Sequence, residues 1–110
     1  MTTHSFGKAV PIQGSMLQLV GYESIGRDIK PATGGNARKR AMRDGLHSLR
    51  RTTGKDFGYD ALVWRQFLIR SNSEEYSYTH PYAFSNVDRA VLAAIEDSVV
   101  IATLKELFQS

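Results

Sequence analysis

Asn36-Ala37-Arg38-Lys39-Arg40-Ala41-Met42-Arg43-Asp44-Gly45-Leu46-His47-Ser48-Leu49-Arg50-Arg51 leads into Thr53-Gly54-Lys55-Asp56-Phe57-Gly58-Tyr59-Asp60, and these residues decide the fold. Met42, Leu46, Leu49 and Thr53 recur at i, i+4, i+7 and i+11, with Ala41 and Gly45 widening the stripe. That period is a helix with one apolar face. Basic side chains take much of the remaining circumference. Gly54 most easily adopts the left-handed backbone that closes a helix, and Arg50 and Arg51 complement the dipole there. Gly58 permits a second turn, and Asp60 is placed to accept from the free N–H groups of a following helix. That helix, Ala61 to about Arg70, carries Trp64, Phe67 and Leu68 on one face.

Towards the N-terminus the signals weaken. Gly7, Pro11 and Gly14 punctuate residues 1–14, which are expected to be loosely ordered. Residues 15–25 stay open between helix and strand. Leu17 and Leu19 alternate as in a strand, whereas Met16, Leu19 and Val20 fit one helical face. A short helix is preferred, because no convincing second strand exists to pair with it. Gly26 to Gly35, with Pro31 and Gly34-Gly35, reads as a connecting loop, after which Thr33 or Asn36 caps the basic helix.

Towards the C-terminus, residues 71–84 form a polar and aromatic loop in which Pro81 drives His80 out of helical conformation. Ser85-Asn86-Val87-Asp88 has the form of a capping box and opens a helix with Val87, Val91 and Ile95 in register. Glu96-Asp97-Ser98 interrupts it. A final helix follows, with Val100 or Ile101, Leu104, and Leu107 with Phe108 at helical spacing. The predicted fold is mainly α: a compact single-domain bundle of four or five helices over residues 1–110. Its N-terminal segment is irregular or holds a short strand.

A chain of 110 residues supports one core without staples. It has no cysteine, which excludes disulfides and thiolate metal sites and fits a reducing cytosol. No signal arrangement and no apolar run of membrane length is present, so a cytoplasmic chain without a membrane partner is expected. The net charge of +3 hides an asymmetry. Residues 27–55 hold nine of the fourteen Lys and Arg against two acids, whereas residues 56–110 hold four against eight. Charges on the solvated faces of helices account for most such imbalances.

No catalytic constellation stands out. His4 lies near the terminus, and His47 sits among arginines on the basic helix, where a structural or solvent-facing role is expected. His80 lies among Glu74, Glu75 and three tyrosines, but a loop histidine before proline is more often a hydrogen-bonding anchor. No His-x-x-x-His pair, carboxylate cluster of metal spacing or nucleophile elbow occurs, so no catalysis, cofactor or metal is expected. Gly34-Gly35 lacks the pattern of a phosphate loop. Trp64, Phe67, Phe57 and Tyr59 are expected to be core residues.

Two binding surfaces remain. The first is Glu74, Glu75, Tyr76, Tyr78, His80, Tyr82 and Asp88, where tyrosines bring contact area at low entropy cost beside acids. An equal alternative has these rings covering the seam between helices. The second is Arg38, Lys39, Arg43, Arg50 and Arg51, able to follow a phosphate backbone, although no known nucleic-acid-binding motif surrounds them.

Thr53-Gly54-Lys55-Asp56-Phe57-Gly58-Tyr59-Asp60 followed by Trp64 resembles the closing segment of bacterial helical repeats of the HEAT type, over residues 37–68. There an arginine-rich helix ends in such a turn and an aspartate-capped helix with a tryptophan follows. By size and style the chain also resembles small immunity proteins of bacterial toxin–immunity pairs. That resemblance implies a non-enzymatic protein that neutralises a cognate toxin by occluding its active surface. For a basic nuclease, Glu74, Glu75, Asp88, Glu96 and Asp97 would supply complementarity. The alternative is a nucleic-acid-binding or scaffolding helical module using the basic helix 37–51.

Overall fold

The computed structural model describes residues 10–25, 28–71, 76–81 and 83–109, with the backbone alone at Ile25 and Asp28. In order, the elements are α1 (Pro11–Leu19), β1 (Tyr22–Ile25), β2 (Asp28–Pro31), α2 (Gly35–Thr53), α3 (Ala61–Ser71), α4 (Phe84–Ile95) and α5 (Ser98–Gln109). The fold is mainly α, with five helices among the described residues, as the periodicities predict.

The centre of the molecule is α1. Pro11 opens it at the first helical position, where its missing N–H costs nothing. Ile12, Gln13, Ser15, Met16, Leu17 and Leu19 are all buried, and Val20 joins them. At 100° per residue these positions cover more than half the circumference. A helix so enclosed has neighbours on several sides, and α1 packs against α2, α3, α4 and β1. The expectation of loose order is therefore wrong for residues 10–14, while residues 1–9 lie outside the described residues. The one-sided pattern that betrays a surface helix is missing here because so little of α1 meets water.

Residues 15–25 turn out to hold both helix and strand. Gly21, at φ +100°, turns the chain out of α1 into β1. β1 pairs antiparallel with β2 in the register Tyr22↔Pro31, Glu23↔Lys30, Ser24↔Ile29 and Ile25↔Asp28. Within the supposed loop of residues 26–35, Asp28–Pro31 is thus a strand. Its polar residues and proline conceal it, but Pro31 sits at the strand end, where a missing N–H is tolerated.

α2 lies on α1 through Ala41, Met42, Gly45, Leu46 and Leu49, all buried. Gly45 sets the distance between them. A Cβ built there would stand 2.4 Å from the Leu19 nitrogen and 2.8 Å from the Ser15 carbonyl oxygen. The Ser15 and Ser48 hydroxyls meet across the same seam at 2.7 Å. The helix begins behind Gly34, with no side-chain cap, so neither Thr33 nor Asn36 has the capping role expected of it. It ends as predicted at Gly54, in the left-handed region at φ +74°.

Asp60 caps α3 by accepting from the Val63 N–H at 3.1 Å. Trp64 is fully buried, and its Nε1–H donates to the Gly58 carbonyl at 2.8 Å. Phe57 meets the indole edge-on at a centroid distance of 4.8 Å. Phe57 thus folds back onto its helix, as anticipated, whereas Tyr59 is only half-buried. α4 starts at Phe84 behind Ala83 with no side-chain cap, so the expected Ser85–Asp88 capping box does not form.

Candidate functional site

The tyrosine-rich segment is drawn inward. Gln13, buried on α1, accepts from the Val10 N–H at 2.9 Å through Oε1. Its Nε2 donates to the Tyr78 carbonyl at 2.9 Å and to the His80 carbonyl at 3.3 Å. One amide thereby satisfies three backbone groups and ties residues 78–80 to α1. The Tyr78 ring is 1% exposed and stands edge-on to Phe84 at 5.6 Å.

Asp88 completes the clamp. Arg65 donates from Nε to Asp88 Oδ1 at 2.7 Å and from Nη2 to Oδ2 at 2.9 Å, a two-pronged pair between α3 and α4. The Tyr78 hydroxyl donates to the same Oδ1 at 3.3 Å. Burial first, and the Asp88 charge second, push the Tyr78 phenol well above its ordinary pKa. Arg65 is held more firmly protonated by its hydrogen bonds to Asp88.

These contacts correct the first expected surface. Tyr78 is buried, and Asp88, partly buried, has both carboxylate oxygens engaged by Arg65. Tyr76 is half-buried with its ring 5.9 Å from that of Phe67. His80 is exposed, while Glu74, Glu75 and Tyr82 lie outside the described residues. For Tyr78 the alternative of a ring packed into the helical core is the one realised.

The second expected surface divides. Arg38 is half-buried, with its stem over Gly21, where an added Cβ would be 3.2 Å from its Cγ. Lys39 is ion-paired with Glu106. Arg50 pairs with Asp56 at 2.8 Å. That arginine and the Gly58 N–H hold the Asp56 carboxyl below its ordinary pKa. Arg43 and Arg51 are exposed, and with them Arg40, which the sequence reading left out of the set.

A third surface went unanticipated. Ala61, Trp64 and Leu68 turn inward at i, i+3 and i+7, leaving Leu62 outward and 43% exposed. Across from it, α5 buries Thr103 and Leu107 and leaves Ile101 47% and Phe108 69% exposed. Between them runs a groove of about 290 Å³, lined chiefly by Tyr59, Leu62, Ile95, Ile101, Leu104 and Phe108. Asp97 fixes the start of α5 by accepting from the Val99 and Val100 N–H groups at 2.8 and 3.3 Å. The signal for this groove is in the composition of α5. Val99, Val100, Ile101, Leu104, Leu107 and Phe108 are too many apolar residues for one buried stripe, and only Leu107 is buried.

Among the described residues no three His, Asp or Glu side chains gather in a metal-binding group. None of the described helices is long and apolar enough to cross a membrane. Comparison with known proteins gives no matching family model, no matching curated protein and no matching solved structure.

Proposed function

We propose that this chain is a non-enzymatic, protein-binding immunity protein that neutralises a cognate toxin by covering its active surface, and that the groove between α3 and α5 is its docking face. The groove carries the reading. Phe108, Ile101 and Leu62 leave a cluster of apolar surface in water at a cost of roughly 25 cal/mol per Å². Contiguous apolar surface with a polar rim marks an interaction site far more often than scattered single residues do. Here Asp60 and Lys105 supply rim charges of both signs. Phe108 belongs to the aromatic residues enriched in protein interfaces. The toxin as partner rests on the resemblance in size and style to immunity proteins.

The direct test is co-expression with the protein encoded by the adjacent gene. Wild-type chain should restore growth and co-purify with that protein. If it neither binds nor neutralises its neighbour, the immunity reading fails.

A further inference from the structure

We infer that the solvent face of α2 is a second and separate binding surface, shaped for the phosphate backbone of a nucleic acid. Asn36, Arg40, Arg43, His47 and Arg51 follow one another at i, i+4, i+7, i+11 and i+15, and all are exposed. They form a single ridge opposite the stripe that packs on α1. At 1.5 Å rise per residue, Arg40 to Arg51 spans about 16 Å. That length covers roughly five phosphates of one strand of a duplex, at about 3.4 Å each along the axis.

The charges on this ridge are available. Lys39, Arg50 and Arg65 are engaged with Glu106, Asp56 and Asp88, whereas Arg40, Arg43 and Arg51 have no ion pair among the described residues. Asp44 is the sole acid in α2. Arginine is suited to the task, because its planar fork pairs two N–H groups with phosphate oxygens.

The chemistry favours nucleic acid over an acidic protein. Every exposed side chain of α2 is polar, so the ridge offers no apolar anchor, and protein interfaces are built round one. A phosphate backbone requires none. With no Phe, Tyr or Trp in α2, the ridge has no stacking platform, and its contacts are to the phosphate backbone, which carries no sequence information. The surface lies on a different element from the α3–α5 groove, so the two readings stand or fall separately.

Fluorescence anisotropy of a labelled DNA duplex, and of one of its single strands, tests the assignment as salt is raised. Three arginine contacts give a log–log slope of about −3 for the duplex and about −2 for the single strand, so a fourfold rise in salt weakens duplex binding roughly 40-fold. Arg40→Glu/Arg43→Glu/Arg51→Glu should abolish binding with the circular-dichroism melt unchanged. The gentler Arg40→Gln/Arg43→Gln/Arg51→Gln, which carries no reversed charge to disturb folding, should remove the salt slope as well. Absence of duplex binding at about 50 mM salt overturns the assignment, as does undiminished binding by the folded glutamine variant. Polyglutamate bound as tightly as the duplex overturns it too, by showing a surface for acidic protein.

Discussion

Gly45 and Tyr78 show how much rests on single residues. Gly45 sits where α2 touches the α1 backbone, and the atoms facing a Cβ are main-chain atoms of Ser15, Gln18 and Leu19. Main chain cannot rotate aside as a side-chain end does, so Gly45→Ala must push two helices apart. A cost of about 3 kcal/mol, the upper end for overpacking, is expected from denaturant unfolding. Alanine's better helix propensity, worth up to about 1 kcal/mol, is too small to offset it. Tyr78 predicts a pH effect. Its native pKa is raised, so above pH about 10 the unfolded chain loses this proton while the folded chain keeps it. Its contribution is therefore intact below about pH 10 and declines as pH rises beyond it. Tyr78→Phe should remove part of the alkaline loss seen in melts from about pH 8 to 11. Tyr22, whose phenol is also raised by burial, should keep the rest. An alkaline loss unaltered by Tyr78→Phe would mean that this hydroxyl is not sequestered.

At the scale of elements, the sequence is legible where one turn carries its own instructions. Gly54 ends α2, Asp60 starts α3, and Trp64 reaches back to the Gly58 carbonyl six residues away. Trp64→Ala should cost roughly 3–5 kcal/mol, enough to threaten a domain whose whole stability is about 5–15. A melting temperature unchanged by that substitution would remove Trp64 from the core. Illegible elements are those fixed from a distance. α1 shows no polar face because other elements enclose it, and β2 becomes a strand only by pairing with β1. Residues 76–81 read as part of a loop whose rings either meet a partner or cover the seam between helices, with nothing local to decide between them. A glutamine 65 positions away from Tyr78, together with Asp88, turns that ring inward. Ser85-x-x-Asp88 looked like a cap for the same reason: local spacing cannot reveal that Arg65 claims Asp88.

At the scale of the molecule, the core is built around α1, and the described residues present two unlike surfaces, the polar ridge of α2 and the apolar groove between α3 and α5. Of the expected acidic and tyrosine-rich face, Tyr78 is buried and Asp88 is held by Arg65 and Tyr78, while Glu74, Glu75 and Tyr82 lie outside the described residues. If the groove is the docking face, its exposed residues should matter to binding and not to folding. Isothermal titration of the adjacent gene's product with wild type and with Ile101→Asp/Phe108→Asp, alongside thermal melts of both, measures this. Truncating or charging an interface anchor typically removes at least about 2 kcal/mol, so affinity should fall about 30-fold or more while the melting temperature stays within a few degrees. Equal affinity of the two proteins for that partner, with both fully folded, would contradict the groove as the docking face.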